Sequence, residues 1–201
     1  TMLKQFYSDP YKAGRYYVKQ NAQAPDLSGK GQIKIGDLVH QVLLERKDID
    51  DIVAFYPEDC FKSNGAVNPK PAKEYRDLVY PKTVLKPAEY KRVVQACNSA
   101  LSSPLSGLLS HPEAVFEEPY FWTDLVTGIP CRACADFRID MGDFNMVYDL
   151  KVTEDAKPYG WQKVARRFRY WLQDAHYSSG LTHLNNKPTM FVFWVIESVW
   201  P

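Results

Sequence analysis

The chain has 201 residues, of which 45% are hydrophobic, 14% aromatic and 24% charged, with a formal net charge of +1 at pH 7. This composition and length predict one globular domain over residues 1–201 and exclude a disordered chain. No run of about 18 apolar residues is present, which excludes a hydrophobic membrane-spanning helix, and the near-zero charge means that nucleic-acid contacts would need basic residues concentrated at one place.

The first half of the chain predicts mainly helices. Residues 3–20 have short helical character, and residues 21–31, rich in small and polar side chains, predict a loop. Apolar residues recur at helical spacing over 35–47 and again over 87–102, so a helix is predicted at each. The stretch between these two helices is rich in proline and lysine and shows no clear period.

The second half predicts strands around one long helix. A strand is predicted at 114–122, followed by a turn and a hairpin. A single long helix is predicted at 158–178, and a near-continuous apolar run at 189–198 is typical of a central strand covered on both faces. The order predicts an α/β fold, with a mixed central β-sheet flanked by helices.

The predicted hairpin has one polar and one apolar face. If it turns at Gly142-Asp143, a pair suited to a two-residue turn, Asp136 lies opposite Asp149. Lys151 then shares the face of Asp149, because side chains alternate along a strand. The apolar face is formed by Ala133, Ala135, Phe137, Ile139, Met146, Tyr148, Leu150 and Val152.

Two carboxylates beside an ammonium on one face indicate a divalent-metal site. Mg²⁺ is commonly held by one or two carboxylates with phosphate and water, and Mn²⁺ suits the same ligands. Asp136, Asp149 and the main-chain carbonyl of Leu150 could hold the ion, while Lys151 could orient an attacking water or offset developing charge. The alternative is structural, since an Asp-x-Lys tripeptide by itself is usually a solvated salt bridge.

Four features in sequence order resemble the PD-(D/E)xK nuclease superfamily, and more closely the exonuclease VIII (RecE-type) branch of phage recombination exonucleases. Asp136, followed thirteen residues later by Asp149-Leu-Lys151, resembles the signature itself. Residues 36–40, Gly-Asp-Leu-Val-His, are similar to an early G-x-x-x-H helix. Residues 122–132 resemble the approach to the first aspartate, and residues 173–177 resemble the Q-x-x-x-Y element that lies beside DNA.

The resemblance implies the following roles. Asp136, Asp149 and Lys151 would be catalytic, and the metal site would comprise His40, Asp136, Asp149 and the Leu150 carbonyl. An upstream glutamate, Glu118 or Glu117, could join its edge, and Glu118 is preferred. Arg166, Arg169, Gln173 and Tyr177 lie on one face of the predicted long helix and would contact DNA. For these last four the alternative is a solvated helix surface, and for His40 it is a packing histidine.

The resemblance also implies an activity. It implies a Mg²⁺-dependent exonuclease that digests linear double-stranded DNA from 5′ to 3′, as a ring-shaped homo-oligomer with a single-strand-annealing recombinase partner. The location would be the cytoplasm of a bacterial host or phage-infected cell. Ala135 stands where the family motif has proline, but that proline is not a ligand, so the chemistry is expected to survive. Two alternatives remain open, namely an endonuclease or single-strand-specific nuclease of this fold, and a non-catalytic DNA-binding subunit.

Overall fold

The computed structural model describes residues 35–199, so the helical segment predicted at 3–20 and the loop at 21–31 lie outside the described residues. The helices are α1 (Ile35–Leu43), α2 (Ile49–Ile52), α3 (Pro69–Val79), α4 (Pro87–Leu101), α5 (Pro158–Phe168) and α6 (Tyr170–Asn185). The strands are β1 (Val53–Phe55), β2 (Thr83–Leu85), β3 (Ala114–Thr123), β4 (Pro130–Asp140), β5 (Asn145–Thr153) and β6 (Thr189–Glu197). Short 3-10 helices lie at Glu58–Cys60 and Ser106–Ser110.

A four-stranded mixed sheet organises the domain. Its strand order is β3-β4-β5-β6, with antiparallel pairing from β3 to β5 and parallel pairing of β6 with β5, while β1 and β2 form a separate parallel pair. The predicted α/β fold with a mixed sheet is therefore confirmed. The predicted central position of the last strand is wrong for the described residues, where β6 is an edge strand that buries Trp194 and Ile196 and leaves Met190 more than half exposed.

Helices cover both faces of this sheet. On one face, α1 and α4 contribute Leu38, Val39 and Val93 to a core that includes Phe137 and other strand residues. On the other face, α6 buries Leu181 against β3 and β5. Among residues 35–199, no helix is both long enough and apolar enough to cross a lipid bilayer.

The predicted hairpin forms in the predicted register next to its turn, from Asp140–Asn145 to Phe137–Tyr148, but the predicted pair of Asp136 with Asp149 is not formed. Phe137 pairs with Tyr148, and the N–H of Met141 donates to the Phe144 carbonyl at 2.9 Å across a two-residue turn. Gly142 has φ of 86°, which glycine adopts without a side-chain clash. Local turn chemistry and alternation were therefore sufficient to align the two strands next to the turn.

Side-chain alternation is interrupted where Glu117 of β3 lies opposite Asp136 of β4. These two residues are left out of the β3–β4 pairing, although the residues on either side of them pair in one register. Glu117 has φ of 48°, a left-handed conformation that costs a non-glycine residue roughly 1–2 kcal/mol. Ala135 and Phe137, which strict alternation predicts on one face, consequently pack into different clusters.

The long helix predicted at 158–178 is two helices. Arg169 has φ of 53° and ends α5, and α6 begins at the next residue. Aromatic packing explains the break, because Trp161 of α5 and Tyr170 of α6 stack at 5.4 Å and both lie against Phe193 of β6. One continuous helix would run straight past β6, whereas the bend at Arg169 lets the rings of Trp161 and Tyr170 both face that strand.

Replacing Gly180 by alanine is expected to destabilise the protein, although alanine is the better helix former. A methyl group on Gly180 would overlap the ring of Trp122, which packs against His176 at 4.7 Å and cannot withdraw freely. Overpacking of this kind costs about 1–3 kcal/mol, which corresponds to a melting temperature roughly 2–12 °C lower for a protein of this size. Gly107→Ala is the matched control, because its methyl group meets no atom within 4 Å. Equal melting temperatures for the two variants in a thermal unfolding assay would contradict this packing argument.

Candidate active site

The site lies where β4 and β5 separate. Their pairing ends at Phe137–Tyr148, so the N–H and carbonyl of Leu150 have no backbone partner on β4. Side chains take the place of that partner. The Leu150 N–H donates to Asp136 Oδ2 at 2.6 Å, and the Leu150 carbonyl lies 2.9 Å from His40 Nε2. Three residues predicted for the site are thus brought together at the open end of the hairpin.

Three potential ligands converge at this opening. One ring nitrogen of His40 and one carboxylate oxygen each of Glu117 and Asp136 lie within 4.8 Å of one another, and His40 Nε2 is 3.5 Å from Asp136 Oδ2. Helix α1 supplies the histidine. Glu117, whose side chain lies beside Asp136, has a left-handed backbone conformation. Two carboxylates, an imidazole and the neighbouring carbonyl of Leu150 form a donor set that suits Mg²⁺ or Mn²⁺.

The electrostatics of this group also fit a cation. Burial raises the pKa of Asp136, and the charges of His40 and Lys151 and the Leu150 N–H oppose that rise. Desolvation raises the pKa of Glu117 as well, and the nearby charge of Asp136 adds to the effect. Because burial disfavours the charged form of both carboxylates, a divalent cation between them would supply compensating positive charge.

Glu118, the preferred shell glutamate, lies outside this group. Its carboxylate is 3.3 Å from Arg138 Nη2 and accepts a hydrogen bond from the Tyr120 hydroxyl. Glu118 pairs with Ala135, which packs on the α6 face of the sheet. The left-handed backbone of Glu117 interrupts the alternation of β3, and Glu117, not Glu118, lies at the convergence of ligands.

Asp149 is the buried anion beside the opening. It is only 2% exposed, and its two carboxylate oxygens accept hydrogen bonds from Lys151 Nζ and Gln173 Nε2. The same ammonium lies over the rings of Tyr170 and Phe193, at 5.1 Å and 6.0 Å from their centroids. Asp149 does not belong to the three-residue ligand group of His40, Glu117 and Asp136. The positive charge of Lys151 opposes the rise in the pKa of Asp136. The lysine is therefore held between an anion and two aromatic faces.

The four residues predicted to contact DNA do not share one helix face, because the chain bends at Arg169. Gln173 points inward to Asp149, and Tyr177 packs its ring on Phe191 at 5.6 Å. Arg166 is exposed at the end of α5. The single row of DNA-contacting side chains expected for a straight helix is thus split. Gln173 and Tyr177 of α6 point inward, and Arg166 of α5 is exposed.

Sequence reasoning did not single out Tyr170 and Phe193, and it ranked Glu117 second. Neither aromatic residue belongs to a motif, and their approach to Lys151 depends on the elbow between α5 and α6. In the sequence, Glu117 was indicated only by its position directly before Glu118, the preferred glutamate. Its selection depends on the backbone conformation at that one position.

Comparisons with known proteins identify a family and a similar fold. The family model of a PDDEXK-like domain of unknown function (DUF3799) matches residues 1–199. No curated protein matches the chain. The fold is similar to the crystal structure of a candidate exonuclease from Eubacterium rectale, with a TM-score of 0.54 and 12% identity over 98% of this chain and 66% of that one. The chain thus spans just under two thirds of that relative, and at 12% identity the likeness shows the fold alone.

The family match covers nearly the whole sequence, and the mixed sheet carries Asp136, Asp149 and Lys151 in the order of the signature. The chain therefore belongs to the PDDEXK-like domains of unknown function (DUF3799), within the PD-(D/E)xK nuclease superfamily.

Proposed function

We propose that this protein is a divalent-metal-dependent DNA nuclease that digests linear double-stranded DNA from its ends. The observation that carries the proposal is the convergence of His40, Glu117 and Asp136 beside the buried Asp149–Lys151 pair. A structural salt bridge would need only the pair, whereas hydrolysis of a phosphodiester needs both a cation site and a group that manages charge at the reacting atoms.

A cation held by His40, Glu117, Asp136 and the Leu150 carbonyl, with Asp149 as the neighbouring anion, would polarise the scissile phosphate and lower the pKa of the attacking water. His40 would hold the ion through a ring nitrogen, and its Nε2 lies 2.9 Å from the Leu150 carbonyl, the neighbouring ligand. The Leu150 N–H keeps Asp136 oriented through its hydrogen bond to Oδ2.

Lys151 is the residue that would face the reacting phosphate. Its ammonium can hold the attacking water and offset negative charge as the phosphorane develops. Asp149 and the ring of Tyr170 fix the position of that ammonium, and Gln173 in turn fixes Asp149. This arrangement preorganises the charged group, so that little reorganisation is needed during hydrolysis.

The finer aspects of the proposal are supported by the resemblance to RecE-type exonucleases. They are 5′-to-3′ polarity, a ring-shaped homo-oligomer around the duplex, a single-strand-annealing recombinase as partner, Mg²⁺ as the physiological ion with Mn²⁺ as substitute, and action in the cytoplasm. The order of motifs from His40 to Tyr177 is the feature of this chain that supports them.

Digestion of a linear duplex labelled at its 5′ or 3′ ends, beside a closed circle of the same sequence, tests the proposal. With Mg²⁺ we expect early release of the 5′ label from the linear duplex, an intact circle, and no product in the presence of chelator. Cutting of the circle would show an endonuclease, and degradation of single strands alone would show a single-strand-specific enzyme. DNA binding without hydrolysis in either metal would identify a non-catalytic subunit.

A further inference from the structure

The elbow between α5 and α6, residues 157–171, concentrates positive charge next to the candidate active site. Between Asp155 and Asp174 the sequence contains no acidic residue, and it contains five cations, namely Lys157, Lys163, Arg166, Arg167 and Arg169. Four of the five are exposed, and Arg169 is half-buried. In a chain whose net charge is only +1, this local excess suits a polyanion.

The same elbow exposes aromatic rings. Phe168 is 45% exposed, and Tyr159 and Trp171 are 69% and 49% exposed. Phe168 stacks on Tyr170 at 5.8 Å with an interplanar angle of 26°, and Tyr170 in turn lies 5.1 Å from the ammonium of Lys151. A row of rings therefore leads from the catalytic lysine to the surface.

The cations of the elbow lie against these rings. The Arg167 guanidinium is 5.4 Å from the Phe168 centroid, and Lys163 Nζ is 4.2 Å from the Tyr159 centroid. Arginine or lysine beside an exposed ring is the arrangement by which proteins bind single strands, since the ring stacks on a base and the cation holds the phosphate.

We infer that the elbow binds an unpaired strand of DNA, with a base stacked at Phe168 next to the scissile phosphate. A closed duplex would use the cations but could not use the rings, because its bases already stack on each other. The inference rests on the proposed nuclease function and deepens it, because it makes a separated strand end, and not the intact duplex, the form of substrate that enters the site.

Binding of labelled oligo(dT) measured by fluorescence anisotropy in chelator tests the inference without hydrolysis. The comparison ligands are an abasic oligonucleotide of the same length, which keeps the phosphates and lacks bases, and a duplex of equal length. The variants are Phe168→Leu, which removes the ring and keeps an apolar side chain, and Phe168→Tyr, which keeps the ring. Phe121→Leu is the control, since Phe121 is a 67% exposed phenylalanine on β3.

We expect the wild-type protein to bind oligo(dT) about tenfold more tightly than the abasic strand, and Phe168→Leu to abolish that preference. Phe168→Tyr and Phe121→Leu should keep it, and duplex binding should not change in any of the three. Arg167→Gln should weaken binding of both strands and reduce the slope of log affinity against log salt by about 0.7, the value for one lost phosphate contact on a single strand.

An oligo(dT) affinity unchanged by Phe168→Leu, or an equal loss for duplex and single strand, would overturn the inference and leave a solvated basic surface. Absence of any preference over the abasic strand in the wild type would overturn it as well. The nuclease proposal is judged separately. Hydrolysis with no effect of Phe168 rejects the stacking surface alone, and Phe168-dependent binding by a protein that never cleaves DNA rejects the nuclease alone.

Discussion

Asp149→Asn is expected to lower the rate of linear duplex hydrolysis at least about 1000-fold, with the fold retained. The substitution keeps the shape of a side chain that is 2% exposed, but it removes the negative charge that faces Lys151. The amide oxygen can still accept the hydrogen bond from Gln173, while its NH₂ group would be directed at the ammonium. Loss of one preorganised charge-stabilising group commonly costs 100- to 1000-fold in rate, and this change also removes an anion beside the cation site.

The measurement is single-turnover hydrolysis of the labelled duplex, together with a thermal melt to show that the variant is folded. Asp143→Asn is the matched control, since Asp143 is an exposed aspartate at the turn of the same hairpin. Lys151→Ala should cause a loss of similar size, and the double variant should be little worse than either single variant, because the two side chains act as one unit. If the Asp149→Asn protein kept a tenth of the wild-type rate, Asp149 would have no essential role in hydrolysis.

The hairpin shows which part of the site the sequence could predict. Its register depends on interactions between near neighbours, and the pairing of Phe137 with Tyr148 follows from alternation and the Gly142 turn. The opening beyond that pair could not be predicted in the same way. It requires His40 from a helix about a hundred residues away and a left-handed Glu117, neither of which is encoded within the hairpin.

The elbow at Arg169 was missed for a related reason. Helix ends are usually predicted from glycine or proline, and the sequence Arg167-Phe-Arg-Tyr170 contains neither. Tertiary packing of rings from both helices against Phe193 overrides the local preference for one continuous helix. The same bend brings the Tyr170 ring to Lys151 and leaves Phe168 exposed outside it.

Two adjacent glutamates provide the sharpest test of the cation site. Glu117→Gln is expected to raise the Mn²⁺ or Mg²⁺ concentration needed for half-maximal hydrolysis about 10- to 100-fold, because it replaces a charged oxygen ligand by a neutral amide beside His40 and Asp136. Glu118→Gln should leave that concentration unchanged. It weakens the pair with Arg138 on the opposite face, where the expected effect is a small loss of stability.

Thermal unfolding in a Mn²⁺ titration measures the same difference without reference to activity. Binding to the folded state alone stabilises a protein by about 2.7 kcal/mol at 100 times the dissociation constant, which is roughly 5–11 °C for this size. Wild type and Glu118→Gln should both show this rise, and Glu117→Gln should show it only at 10- to 100-fold higher Mn²⁺. The opposite assignment, with the rise displaced in Glu118→Gln, would return the ligand role to the glutamate that the sequence preferred. A rise displaced in neither variant would mean that the cation is held by the aspartates and His40 without help from β3.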